Sequence, residues 1–175
     1  MRKFMAGIVT TLIVLIAGAY AFVALGCMPA NADAKPPIIE RWMAHTSLRA
    51  SIKREAPQGP VPVALTDANL MAGVKLYAAN CAICHGASDA KASNIAVGLY
   101  QHAPQLADDG VEDDPEGVIY WKVKHGIRLT GMPAFSPSLS EEQIWQTVLF
   151  LKHMDSLPAD VDKVWKSIPS AKTGV

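Results

Sequence analysis

Five residues near the middle of the chain, Cys81-Ala82-Ile83-Cys84-His85, constrain it more than any other feature. Two thiols three positions apart, with a histidine directly after the second, form the attachment signature of c-type haem. On one helical turn the two sulfurs face the same way, and each can form a thioether to a vinyl group on one porphyrin edge. The next side chain, His85, is then directed at the iron as its proximal nitrogen ligand. Two other chemistries use a Cys-x-x-Cys pair. Structural zinc needs four ligands, and no second cysteine pair exists, since the one other cysteine, Cys27, lies at the end of a distant apolar stretch. A thioredoxin-like dithiol requires the flanks of a βαβ unit, whereas the neighbouring segments read as helix and polar loop.

A haem that only exchanges electrons needs a second axial ligand. Thr130-Gly131-Met132-Pro133-Ala134-Phe135 offers one. Glycine before and proline after hold Met132 on an irregular, stiff stretch where its thioether can reach iron without competing for a place in a helix. Met71 and Met154 sit in helical patterns and read as core fillers. His102, His125 and His153 remain as alternative ligands.

His85, the Cys81/Cys84 pair and the downstream Gly-Met-Pro stretch together resemble a class I cytochrome c domain, over about Thr66 to Asp155. The resemblance implies an all-α fold, a small helical bundle around one covalent haem c. It also implies a role for Pro104 in Ala103-Pro104-Gln105-Leu106, whose carbonyl would accept a hydrogen bond from the other nitrogen of the proximal imidazole and so set its orientation and basicity. Gly73 and Tyr77 resemble the family's small-then-aromatic pair at the crossing of the first and last helices, with Trp145 and Leu149 as the expected partners. These four positions bear on fold rather than chemistry.

The residues support a helical domain independently. Thr66 caps a helix expected over about Asp67 to Asn80, with Leu70, Val74 and Tyr77 along one face. Asp114-Pro115 reads as an N-cap followed by a first-turn proline. The helix it opens carries Val118, Ile119, Trp121 and Val123 and stops at Gly126. Ser140-Glu141-Glu142-Gln143 has capping-box form, and Ile144, Trp145, Val148, Leu149 and Leu151 come after it on a broad apolar face. No segment shows the period-two alternation of a strand. A domain of this size has a small core, so a covalent haem would supply much of its apolar packing surface, and the apoprotein is expected to be largely unfolded.

Composition changes abruptly towards the amino terminus. After Arg2 and Lys3, residues Phe4 to Cys27 carry no charge and are long enough to span a bilayer with some tilt. A retained inner-membrane anchor is expected, with Arg2 and Lys3 cytoplasmic and the haem domain on the periplasmic side. Ala30-Asn31-Ala32 and Ala32-Asp33-Ala34 resemble cleavage sites, which leaves a soluble periplasmic form as the alternative. Cys27 comes after Gly26, but leucine and alanine stand before that glycine in the reverse of the order a lipoprotein signal uses. The organisation is thus an anchor or signal over 1–27, a helical and proline-rich linker over 28–65, a haem domain over 66–155 and a tail over 156–175. Residues 38–54 suit a helix with Ile38, Trp42, Leu48 and Ile52 roughly on one side, but Arg49 falls there too. That helix could lie on a membrane surface, pack on the haem domain or meet a partner. Pro57, Pro60 and Pro62 make a short stiff linker between that helix and the haem domain. The tail, with Lys163, Lys166 and Lys172, has little to pack except Val161, Val164 and Trp165; Trp165 could dock on the domain surface, and the last few residues are expected to be loose.

Zero net charge hides a split. Residues 66–155 hold six Lys/Arg against eleven Asp/Glu, while residues 1–65 hold seven against three. An acidic haem domain is repelled by nucleic acid and steered towards redox proteins with a basic docking surface. Asp108, Asp109, Glu112, Asp113, Asp114 and Glu116 concentrate that charge in one loop, which equally suits a merely solvated one. Arg128 suits either a haem propionate or solvent. With His85 and Met132 both on the metal, no position is open to a small-molecule substrate, so the expected function is single-electron transfer by a carrier rather than an enzyme. A haem subunit feeding a dedicated oxidoreductase complex is the alternative. A sensor or peroxidase-like protein would require Met132 to leave the iron.

Overall fold

The computed structural model describes residues 1–170, and among them it contains eight α-helices, one 3-10 turn at Val111–Asp113 and no strand. The expected all-α class is correct. Two compact units divide the chain, residues 1–34 and the part from Lys35 onward. The first is α1, Arg2–Ala24, which is uncapped and has no buried residue. Its 23 residues extend about 35 Å at 1.5 Å each, enough for a hydrocarbon core of about 30 Å. It is long and apolar enough to cross a membrane, and suits an anchor or a signal segment.

The second unit contains α2 (Ile38–Glu55), α3 (Asp67–Asn80), α4 (Ala82–His85), α5 (Asn94–Gly98), α6 (Glu116–His125), α7 (Glu141–Lys152) and α8 (Ala159–Ser167). Local chemistry sets most of these boundaries. Thr66 accepts from the Asn69 N–H at the start of α3. At α7, Ser140 accepts from the Gln143 N–H while the Gln143 side chain accepts from the Ser140 N–H, a complete capping box. Gly126, at φ +66°, stops α6. The start of α6 differs from expectation. Asp114 makes no cap there, and its carboxylate instead takes Lys122 Nζ at 2.7 Å, well inside the helix.

The core is organised by the crossing of α3 and α7. A Cβ placed on Gly73 would overlap the Gln146 carbonyl oxygen and lie 2.8 Å from Phe150 Cβ, so only glycine permits this approach. The partners across the crossing are therefore Gln146 and Phe150, not the expected Trp145 and Leu149. One position along a helix turns a side chain by about 100°. Trp145 accordingly faces α6, where it stacks on Tyr120 with ring centroids 4.1 Å apart.

The tail also departs from expectation. It forms α8, whose Trp165 is 4% exposed and packs against both Tyr77 and Phe150, with centroids 5.4 and 5.2 Å away. As a linear pattern, the apolar side chains of the tail are too sparse to suggest a place in the core. Spaced over one helical face, Val161, Val164 and Trp165 suffice to cover the α3–α7 crossing. Lys172, and the expectation that the last residues are loose, fall outside the described residues. The proline-rich stretch is likewise attached to the domain, since Val61 and Val63 pack on the core and the Pro57 carbonyl abuts Gly117 of α6.

Candidate functional site

Cys81 ends α3, and α4 turns immediately from it. The Cys84 and His85 N–H groups both donate to the Cys81 carbonyl, at 3.0 and 2.9 Å. Gly86, at φ +77°, terminates the turn. All five motif residues thus share one tight bend, which the core supports from below. The Tyr77 hydroxyl, buried under that bend, donates to the carbonyls of Gly86 (2.8 Å) and His85 (3.1 Å). Burial, and secondarily the neighbouring Cys81, push its pKa far above the ordinary phenol value, so it stays a donor. Burial also pushes the Cys81 thiol up to about 12, with Cys84 adding to the effect.

His85 is oriented from the far side of the bend. Its Nδ1 donates to the Pro104 carbonyl at 2.9 Å, and the Leu106 N–H donates back to the His85 carbonyl at 3.2 Å. Burial lowers the imidazole pKa, opposed by the Pro104 hydrogen bond and by Asp109. A neutral ring with Nδ1 protonated keeps a lone pair on Nε2. Two residues that sequence reasoning passed over complete the frame. Gln105 Nε2 donates to the Cys84 carbonyl at 3.2 Å, while its Oε1 lies against Gly86. Ser93, 8% exposed, donates to the Ile83 carbonyl at 2.5 Å and caps α5 through Ala96 N–H, tying α4 to α5. Gln105 stands beside Pro104 in the chain, and that adjacency is the signal that points to it. Ser93 has only the signature of a local cap.

Met132 lies on a loop with little freedom. The Ile127 N–H donates to the Met132 carbonyl at 3.2 Å, and the Met132 N–H donates to Thr130 Oγ1, whose hydroxyl donates to the Ile127 carbonyl. Gly126 lets this loop fold back, since a Cβ there would come within 2.7 Å of the Met132 carbonyl and the Ala134 nitrogen. Beyond it, the Phe135 and Ser136 N–H groups donate to the carbonyls of Val123 and Lys124, anchoring the loop to the end of α6. Met132 is half-buried at the edge of the core, and Leu99, just after α5, packs against Gly131. So α5 meets α4 at one end and the methionine loop at the other. Of the alternative ligands, His153 Nδ1 is engaged with the Leu149 carbonyl at 2.9 Å and His125 packs on the Trp121 ring. His102 is exposed, as is Arg128.

An all-helical bundle that presents Cys-x-x-Cys-His on a braced bend defines a cytochrome c domain of the class I type. Residues 68–151 match the family model described as cytochrome C oxidase, cbb3-type, subunit III. This domain binds haem and transfers electrons. Neither the curated proteins nor the solved structures gave a match to the chain.

Proposed function

We propose that the chain is a membrane-anchored carrier of single electrons. One haem c would be held by thioethers from Cys81 and Cys84, with His85 Nε2 and Met132 Sδ as axial ligands. The observation that carries this reading is the His85 ring, fixed through Nδ1 by Pro104, with Nε2 uncommitted among the described residues at the attachment bend. The donor set fits the group. An imidazole nitrogen and a thioether suit haem iron, and exposed apolar side chains on the surrounding segments (Ile83, Ile95, Val97 and Leu129) suit a porphyrin face. When bound, haem supplies reversible one-electron exchange between ferrous and ferric iron.

The protein's part is positioning. Tyr77, Gln105 and Ser93 hold the carbonyls of the bend, Pro104 sets the imidazole, and the Thr130 and Gly126 contacts restrict where Met132 can go. Rigid ligands keep reorganisation small as charge changes, and a neutral nitrogen with a soft thioether favours ferrous iron. We assign the haem domain to residues 66–155, braced by α8, and the anchor to residues 1–27. The haem domain then lies on the periplasmic side, and the exposed Asp108, Asp109 and Asp113 would steer it towards basic redox partners.

The test is the optical spectrum and mass of the full chain, with Met132→Ala beside it. The mature protein should weigh one haem more than its polypeptide. The variant should lose the methionine-ligand absorption of the ferric form and show a lower potential. An unchanged spectrum and potential would refute Met132. The family description favours a second reading, a haem subunit passing electrons into an oxidoreductase complex. A complex that survives high-salt purification would select it over a mobile carrier.

A further inference from the structure

α2 is chemically two-sided in a way that its sequence pattern conceals. Its only acids, Glu40 and Glu55, both turn to the haem domain. Tyr100 donates its hydroxyl to Glu40 at 2.6 Å, and Trp121 Nε1 donates to Glu55 at 3.2 Å. Arg54 also reaches Glu55. At about 100° per residue, the side of α2 opposite these two contacts presents Ile38, Trp42, Arg49 and Lys53, flanked by Ile39 and Met43. Ile38 is 86% exposed and Trp42 64%. The outer face is thus apolar and aromatic in its first turns and, after the neutral Thr46, carries Arg49 and Lys53 with no acid of α2 left to offset them.

We propose that this face docks on the anionic bilayer surface of the membrane that α1 spans. The inference rests on reading α1 as a retained anchor. Two observations select lipid as the occupant. Exposed aliphatic and indole groups beside uncompensated cations match the apolar–headgroup boundary of an anionic leaflet. The apolar turns are also the part of α2 nearest the anchor in sequence. Residues 25–37 separate the two helices, a tether of about 50 Å even fully extended, so the face is held at high effective concentration near a bilayer. Docking would keep the haem domain at the surface where membrane-bound redox partners reside.

Trp42 supplies its own probe, because Trp121, Trp145 and Trp165 are all buried. The full-length holoprotein is reconstituted into phosphatidylglycerol–phosphatidylcholine vesicles, with and without bromine on the acyl chains. Brominated lipid should quench most of the emission that Trp42→Phe removes. The Arg49→Glu/Lys53→Glu variant should reduce surface occupancy on the order of tenfold, as should vesicles of phosphatidylcholine alone. A chain that stays in the vesicles through an alkaline wash while Trp42 is untouched by bromine overturns the docking alone. Emission shielded from water yet insensitive to bromine puts a protein on this face and also overturns it. A chain released by the wash overturns the anchor, and the docking with it.

Discussion

Replacing Gly73 by alanine tests whether the α3–α7 crossing governs the stability of the domain. The added methyl would sit 2.8 Å from Phe150 Cβ and overlap the Gln146 carbonyl oxygen. Carbon atoms rest at about 3.5–4.0 Å, so the helices must separate by about 1 Å. The obstructing oxygen is backbone within α7, and no rotamer change removes it. A gap of that size forfeits a quarter to a half of the dispersion energy between facing atoms. Val74, Tyr77, Val148 and Phe150, all fully buried here, would feel it. Overpacking of this kind costs about 3 kcal/mol, against about 1 kcal/mol that alanine contributes in helix propensity. The net loss of about 2 kcal/mol corresponds to a urea midpoint lower by about 1 M at a slope of about 2 kcal/mol/M. The assay is urea unfolding of the holoprotein, monitored by helical circular dichroism and by haem absorbance. A variant with an unchanged or higher midpoint would show that propensity outweighs the crossing, and the reasoning would be wrong.

Tyr77→Phe leaves the shape but strands the Gly86 carbonyl and leaves the His85 carbonyl with the Leu106 N–H alone, so stability should fall by about 1–3 kcal/mol in the same titration, with the motif bend loosened. Trp165→Ala should lose about 3–5 kcal/mol, seen as a large drop in melting temperature, whereas a tail merely resting on the surface would lose little. Glu141 is held below its ordinary value by the hydrogen bond from Lys124, so its pairing contributes above pH 4.5 and disappears as pH falls through the lowered folded value. Urea midpoints of the parent and Glu141→Gln should therefore differ near neutrality and converge in acid. A constant offset across the series would exclude the ion pair as its cause.

Much of the site can be read locally. Cys81, Cys84 and His85 are neighbours in the chain, and a motif whose parts lie within one helical turn carries its own geometry. The same holds for the Thr66 cap, the Ser140–Gln143 box and the Gly126 stop, each a contact over three residues or fewer or a single backbone angle. The His85–Pro104 contact spans nineteen residues and is expected only through family resemblance, because nothing local pairs a proline carbonyl with a distant imidazole.

What the linear pattern settled for this protein was therefore helices α2, α3, α6 and α7, its haem motif and the long apolar segment at its amino terminus. These arise from periodicity, capping and hydropathy, which act between near neighbours. Tertiary structure alone decided that Gly73 faces Gln146 and Phe150, that α8 closes the core through Trp165, and that both acids of α2 turn inward. Those outcomes depend on which faces meet after the chain has folded back on itself. A rotation of one residue changes each of them while leaving the helical pattern intact.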